Sequence, residues 1–342
     1  MKRLGFHTLR DKATDTLGDK LSQQLQEDVA PKMSDEEAFS FAEFNAEDAE
    51  RGGYSDYSYW KSTLRAFFQN KIAVFFLFVM VAVLLFTFIQ PYLPGQKDPI
   101  LIHNDQWGLP LNNIPPSKEF WFGTNSIGQD LWARIWAGTR TSLFIGFSVA
   151  LVEAVVGILV GVLWGYVRKL DFLFTELYNL INNIPSTIIL ILASYIMRPS
   201  IPTIIAAMSI TGWIGLARFI RNQVVIIRDR DFNLASRCLG TPTRRVIVKN
   251  LLPHMVSVVM LRMALAIPGA IGSEVFLCYI GLGLPISIPS LGNLVNKGRS
   301  LMMAPSLRYQ LVVPAIILSV ITICFYLVGN AFSDAADPKN HV

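Results

Sequence analysis

The chain carries little charge for its length. Only 16% of its 342 residues are Asp, Glu, Lys or Arg, whereas 52% are hydrophobic and the mean hydropathy is +0.42. An average soluble domain has about 25% charged residues. The composition therefore excludes an ordinary soluble domain and predicts an all-α protein with several membrane-spanning helices.

Cysteine and histidine are also scarce, with three and four residues. Cys238 lies in a polar interval, whereas Cys278 and Cys324 lie in apolar runs, so no extracellular pair is available for a disulfide. The histidines show no ligand spacing. We therefore expect no disulfide, no metal site and no cofactor bound by this chain.

The sequence lacks the motifs of catalysis in a membrane. HExxH, GxSxG and a pair of intramembrane aspartates are absent, and His254 has no evident serine partner. An intramembrane peptidase is therefore disfavoured, and no catalytic residue is expected. The phosphate loop GxxxxGK[ST] is also absent, so any ATP must be hydrolysed by another polypeptide.

The net charge of +5 comes from basic residues that concentrate between apolar runs. The interval from Arg218 to Lys249 has eight basic and two acidic residues, which the positive-inside rule assigns to the cytoplasm. The amino-terminal region shows no signal peptide. The charge thus indicates orientation and not a nucleic-acid partner, and we expect a multi-pass protein of the cell membrane with both termini in the cytoplasm.

Six apolar runs are long enough to cross about 30 Å of hydrocarbon. They fall at 72–89, 142–167, 172–197, 199–217, 255–284 and 309–332. The predicted organisation is a cytoplasmic extension (1–53), an interfacial elbow helix (54–70), a first span (71–90), an extracellular lobe (91–140), a core of five spans (141–333) and a cytoplasmic tail (334–342).

One strongly basic interval runs from Asp231 to Pro253 between two spans. Asp231 is expected to cap a short helix, which Gly240 would end in a left-handed conformation. Thr241 and Pro242 suit the N-cap and the first position of a second helix, and Pro253 would close the interval. The interval therefore predicts a helix, a tight turn and a helix.

The first of these helices carries a surface of small residues. Ala235 and Ser236 lie between Phe232 and Leu239, a pattern that favours contact with a groove on another protein. An amphipathic linker between spans is the alternative, and a DNA-reading helix-turn-helix lacks room for its three-helix core. The predicted docking residues are Asp231, Phe232, Leu234, Ala235, Ser236, Arg237, Leu239, Gly240, Thr241 and Pro242.

Ionisable residues inside apolar spans are the next candidates. Glu153, Arg262 and Glu274 lie there, at a cost of about 2.5 to 3.5 kcal/mol each near mid-bilayer, so they should face water or protein. Glu153 could instead bond a neighbouring helix, and Arg262 could extend to the interface. Asn182 and Asn183 make one wall of the third span polar. These five residues are the candidates for lining a path through the bilayer.

The basic interval resembles a known motif. Ala235-Ser236, Gly240 and Leu252-Pro253 are spaced as in the EAA loop of bacterial ABC importer permeases, the segment that inserts into a cytoplasmic ATPase subunit. Leu234 stands where that family has a glutamate. The resemblance thus implies docking, without the salt bridge that the glutamate makes.

Three further motifs extend the resemblance over most of the chain. They are FGTNSIGQDLWARIWAGTRTSL, YIGLGLPISIPSLGNLV and AFSDAADP. All three resemble signatures of peptide-type permeases, with departures at Asn125, Gln129 and Ala133. The chain is thereby similar to the C-type permease subunit of bacterial oligopeptide and dipeptide ABC importers, and the SYW and NNIPS segments are most similar to the Ami/Opp branch of Gram-positive bacteria.

The resemblance implies a type I ABC importer permease with six transmembrane helices and an extracellular lobe between the first two. The implied partners are a homologous B-type permease subunit, two cytoplasmic ABC ATPases that carry ATP and Mg, and an extracellular lipid-anchored peptide-binding protein. The chain would form half of the translocation path and transmit ATPase movements. Dipeptide and nickel importers share the signatures and are the alternative.

Overall fold

The computed structural model describes residues 59–197 and 199–336. Apart from three isolated β-bridges, this part of the chain is helical or irregular, which confirms the all-α prediction. The helices are α1 (Tyr59–Gln69), α2 (Lys71–Ile89), α3 (Leu131–Tyr166), α4 (Arg168–Asn182), α5 (Ser186–Ile196), α6 (Ile201–Arg228), α7 (Asp231–Cys238), α8 (Thr243–Arg245), α9 (Leu252–Tyr279), α10 (Leu291–Ser300) and α11 (Tyr309–Ala336).

The first two helices meet at Asn70. Its side-chain Oδ1 accepts hydrogen bonds from the backbone N–H groups of Ile72 (3.1 Å) and Ala73 (3.2 Å), so the chain restarts as α2. Phe67 of α1 and Ala73 pack with Ala335 at the end of α11. The predicted elbow helix thus contains α1, whereas the extension 1–53 and the last residues of the tail lie outside the described residues.

Five helices in the described ranges are long and apolar enough to cross a membrane, namely α2, α3, α6, α9 and α11. The predicted third span, 172–197, is broken into α4 and α5, which meet at an angle of 76°. Pro185 lies at this break and cannot donate to a helical ladder. The count of six spans therefore holds only if this bent pair is one span.

Two spans are longer than the apolar runs indicated. Helix α3 has 36 residues, about 54 Å at 1.5 Å per residue, and so extends well beyond the hydrocarbon. Helix α6 continues to Arg228 instead of ending at 217, because Ile220 and Val224 are fully buried on one face of the extra turns. The first part of the basic stretch from Arg218 to Lys249 is therefore a continuation of this helix.

Three glycines bring α3 and α6 close together. Gly157, Gly161 and Gly165 recur every four residues on α3. A Cβ atom added at Gly161 would lie 2.5 Å from the carbonyl oxygen of Ala217, and one at Gly165 would lie 2.8 Å from that of Arg221. No side chain larger than hydrogen fits here without a shift, as in the small-xxx-small contacts of membrane helices.

Helix α10 lies inside the bundle and was not predicted. Leu291 packs with Leu143 of α3, Ile271 of α9 and Ile321 of α11 in one buried cluster. Ser290 caps this helix by accepting a hydrogen bond from the backbone N–H of Asn293 (3.1 Å). The segment between the fifth and sixth spans thus contributes to the core.

The irregular segment 93–130, called the lobe below, rests on the start of α11. Tyr309 Oη lies 2.9 Å from the carbonyl oxygens of both Ile114 and Thr124. Gln310 Nε2 donates to Asn113 Oδ1 over 2.8 Å. These contacts fix the lobe at the end of the bundle that holds α10.

Candidate functional site

Helix α7 ends in a Schellman turn. Gly240 has φ +76°, in the left-handed region, as the sequence predicted. Its N–H donates to the carbonyl oxygen of Arg237 (3.0 Å), and the N–H of Thr241 donates to that of Ser236 (3.0 Å). The predicted succession of helix, tight turn and helix is present, with α8 as the second helix.

Three details of this prediction were wrong. Arg230 precedes α7 without a side-chain cap, and Asp231 is the first helical residue. Pro242 has ψ 142° and is extended, so it takes the N-cap position expected of Thr241, and the helix starts at Thr243.

Pro253 does not close the second helix. Helix α8 continues through a π-helical turn, Val246–Leu251, directly into α9. The wide π turn lies just before Pro253 and accommodates a ring that would clash with a regular α-helical turn. The second helix and the following span are therefore one unbroken helical element.

A buried asparagine attaches α7 to this element. Asn233 has no exposed surface. Its Nδ2 donates to the carbonyl oxygen of Ile227 (2.8 Å), and its Oδ1 accepts from Asn250 Nδ2 (3.0 Å). Asn250 Nδ2 also lies 3.5 Å from Ser236 Oγ. The short helix is thus joined to the end of α6 and to the π turn.

The outer face of α7 is apolar and open. Leu239 is 86% exposed, and Phe232 and Leu234 are 45% and 44% exposed. Ala235 is exposed beside them, whereas Ser236 is half-buried towards Asn250. The predicted docking residues therefore divide into an outward apolar group and a group that holds the turn.

Asp229 joins three basic residues at the base of α7. It lies 3.2 Å from Arg228, 3.5 Å from Arg237 and 3.8 Å from Arg168. Desolvation raises the pKa of Asp229, but the hydrogen bonds and charges of these arginines outweigh it and hold the pKa below its usual value. Arg237, one of the predicted docking residues, is thereby held against the end of α6.

Glu153 lines a cavity of about 470 Å³ between α3, α5, α6 and α9. The polar residues around this cavity are Glu153, Ser186, Thr187, Thr211 and Ser273. Among the described residues, none forms a hydrogen bond or an ion pair with the Glu153 carboxylate. A Cβ atom added at Gly212 would overlap the carboxylate of Glu153, so a side chain there would displace this carboxylate.

The other predicted path residues do not all lie together. Asn182 lines a smaller cavity of about 190 Å³ that shares Ser186 and Thr211 with the first. Asn183 is exposed at the end of α4. Arg262 is exposed with its guanidinium 4.7 Å from the centroid of the Phe219 ring.

Glu274 is completely buried. Its Oε2 accepts from Ser142 Oγ (3.0 Å) and its Oε1 from Cys278 Sγ (3.2 Å), while the same Ser142 Oγ accepts from the backbone N–H of Leu291 (3.0 Å). This cluster fastens the start of α10 to α3 and α9. With no accessible surface, Glu274 does not contact a solute in this conformation.

The part of the chain that the structure describes contains no group of three or more His, Cys, Asp or Glu residues that could hold a metal ion.

Two family models match the chain. The model for the binding-protein-dependent transport system inner membrane component matches residues 157–342, and the model for the N-terminal TM domain of oligopeptide transport permease C matches residues 58–116. The first match covers more than half of the chain and includes α7. The chain belongs to this permease family.

Individual relatives agree with this assignment. The oligopeptide transport system permease protein AmiD of Streptococcus pneumoniae is 36% identical over 308 residues, which cover 90% of this chain and 98% of AmiD. OppC of Bacillus subtilis is 33% identical over 311 residues (88% and 96%). DppC, a dipeptide permease of B. subtilis, is 33% identical over 283 residues (82% and 86%). The resemblance to C-type peptide permeases is confirmed.

Proposed function

We propose that this chain is the membrane-spanning permease subunit of an ATP-driven oligopeptide importer and forms one half of the translocation path. The observation that carries the proposal is the match to AmiD over nearly its whole length. OppC likewise matches over more residues than DppC does. The dipeptide importer is the second candidate, because DppC is as similar in identity as OppC.

The proposed assembly supplies what this chain lacks. Two cytoplasmic ABC ATPases would bind ATP and Mg, since the sequence has no phosphate loop of its own. A homologous B-type permease would form the other half of the path, and an extracellular lipid-anchored binding protein would deliver the peptide. In this arrangement α7 and both termini lie in the cytoplasm of a bacterial cell, and the lobe lies outside.

Helix α7 is the proposed contact with an ATPase. Its outward apolar residues Phe232, Leu234 and Leu239 lie at a polar end of the bundle, where exposed apolar surface indicates a protein contact. Asn233 supports this role because it holds α7 on both adjoining spans. A push on α7 would therefore reach α6 and α9 together.

The cavity beside Glu153 is the proposed part of the path. The Glu153 carboxylate faces this space between four helices and is open to a cationic group such as a peptide amino terminus. Asn182 continues the polar wall into the neighbouring cavity. Arg262 and Asn183 stay predictions for the path, whereas Glu274 is better explained as an internal fastening.

Deletion of the chain tests the function. In a strain without other peptide importers, we expect loss of uptake of labelled tetra- to hexapeptides with a normal membrane potential, and restoration by the wild-type gene. Uptake of dipeptides is measured in parallel, and a loss confined to dipeptides would favour the second candidate. Persistent uptake of both classes would refute the assignment.

A further inference from the structure

A second pocket lies at the lobe end of the bundle, between the lobe, α3 and α10. Its volume is about 270 Å³. Its polar lining residues are Asn125, Ser126, Arg134, Asn293, Lys297 and Gln310. The lining therefore contains two cationic side chains and no carboxylate.

Arg134 is buried in this lining without an anionic partner. It is 3% exposed. Its Nη1 donates to Gln129 Oε1 (2.6 Å) and to the carbonyl oxygen of Pro99 (3.1 Å), and its Nη2 donates to the carbonyl oxygen of Ile286 (2.9 Å). All three acceptors are neutral, and the buried Nε has no partner. An arginine presents five N–H donors, so one N–H on Nε and one on Nη2 are left over.

The nearest acidic residue in sequence does not neutralise Arg134. Asp130 lies one helical turn earlier and caps α3, with its Oδ2 accepting from the backbone N–H of Ala133 (2.9 Å). Among the described residues, no carboxylate oxygen lies within 4.0 Å of Arg134 or of the exposed Lys297. Buried charges in proteins are ordinarily paired, and this pocket has an unpaired positive one.

The amide side chains around the pocket hold its walls. Asn293 Nδ2 donates to the carbonyl oxygens of Leu284 (3.0 Å) and Ile288 (3.2 Å), and Asn125 Nδ2 donates to Gln129 Oε1 (3.0 Å). The shape of the pocket is therefore set before any ligand enters. Ser126 and Lys297 belong to the lining and are exposed, so the pocket is open to solvent.

We propose that this pocket binds a carboxylate group. Arg134 supplies a buried positive charge in the lining that no carboxylate of the described residues neutralises, and the exposed Lys297 supplies a second positive charge that a ligand reaches from solvent. The volume suits the end of a peptide. This inference rests on the proposed function. The carboxylate then comes either from the carboxyl terminus of a peptide or from an acidic side chain of the binding protein on the lobe.

The first arm of the test uses peptides. The complete complex in nanodiscs is mixed with tetra-alanine or with tetra-alanine amide, and binding is measured by saturation-transfer NMR, which detects weak ligands. If the carboxylate is the peptide's own, the acid binds about tenfold more tightly than the amide, and Lys297→Gln and Arg134→Lys remove most of this preference. Arg299→Gln is the matched control, because Arg299 lies on the same helix but stacks 3.9 Å over the ring of Tyr279 and not in the pocket.

The second arm uses the cognate binding protein without peptide. If the carboxylate is on that protein, its affinity for the nanodisc complex falls about tenfold in Lys297→Glu and is unchanged in Arg299→Glu. The proposal is overturned if the acid and amide bind alike and the binding protein is indifferent to Lys297→Glu and Arg134→Lys. Neither arm requires transport, so failure of peptide uptake by the wild-type complex counts against the proposed function alone.

Discussion

Asn250 Nδ2 donates a hydrogen bond of 3.0 Å to Asn233 Oδ1, and this pair joins α7 to the π turn that leads into α9. Both partners are amides, so the contact is independent of pH. Asn233 also reaches back to Ile227 on α6, which makes it the junction of three helical elements. The relationship suggests the first prediction.

Asn233→Ala should uncouple ATP hydrolysis from transport. The variant leaves Asn250 and the carbonyl of Ile227 without this buried partner, at a cost of about 1 to 3 kcal/mol, which should not prevent membrane insertion of the chain. We expect normal membrane levels, with less peptide transported for each ATP hydrolysed in proteoliposomes. Asn222→Ala is the control, since Asn222 is exposed and its side chain accepts a hydrogen bond from its neighbour Arg221. An unchanged ratio of transport to hydrolysis would contradict a role for Asn233 in transmission.

Ala235→Trp should block docking of α7 on an ATPase. Ala235 is exposed, so the large ring costs the isolated chain little, whereas overpacking a tight contact costs about 1 to 3 kcal/mol, or roughly tenfold or more in affinity. We expect intact insertion and reduced co-purification of the ATPases. Thr243→Trp, at an exposed site beyond the turn, is the control and should retain them.

The native Cys238 provides an independent probe of the same contact. It is exposed on α7, whereas Cys278 and Cys324 are buried. Its alkylation in inside-out vesicles should slow when both ATPases are bound and recover after they are stripped. Equal rates in the two states would indicate that α7 is a linker and that docking occurs elsewhere.

Gly212→Ala should affect the same transport step as Glu153→Gln. The added methyl group would overlap the Glu153 carboxylate and push it from its place in the cavity. If Glu153 attracts cationic groups, Glu153→Gln should reduce uptake of cationic peptides more than that of anionic ones, and Gly212→Ala should do likewise.

Gly215→Ala is the matched control for this pair. Gly215 lies one turn further along α6 and lines the neighbouring cavity, but an added Cβ atom there meets no atom within 4 Å and leaves the Glu153 carboxylate in place. The preference between cationic and anionic peptides should therefore be that of the wild type. In the double variant Glu153→Gln with Gly212→Ala, the effects should be less than additive because both act on one group. Strict additivity, or equal loss for cationic and anionic peptides, would favour a purely structural role for Glu153.

The orientation of the chain in the membrane can be tested with one introduced cysteine. Met303→Cys, at an 86% exposed site after α10, should react with an impermeant maleimide added to intact cells, whereas Cys238 should react only after permeabilisation. Labelling is followed by gel shift. The reverse pattern would place α7 outside and would exclude docking on a cytoplasmic ATPase.

The sequence predicted features whose cause is local. The apolar runs predicted the spans, because a helix in the hydrocarbon of a bilayer needs apolar side chains whatever its neighbours are. Gly240 predicted the turn after α7, because glycine adopts φ +76° at little cost. Helix α10 was missed because its ten residues of mixed polarity have no local signature, and its burial depends on three other helices. The Asn233–Asn250 pair depends in the same way on tertiary contacts. The stripe of Gly157, Gly161 and Gly165 did have a signal, its GxxxG spacing.

That stripe has a mechanical consequence. The glycines let the two backbones approach closely, and Leu216, Ile220 and Val224 of α6 pack directly on them, so we expect α3 and α6 to move together as one stiff beam. Helix α6 has 28 residues, a length of about 42 Å, and α7 is attached to one end of it. Tilting this beam by about 5° displaces its far end by about 4 Å at that length. We therefore expect a small tilt at the α7 end to become a displacement larger than a water molecule at the opposite end of α6.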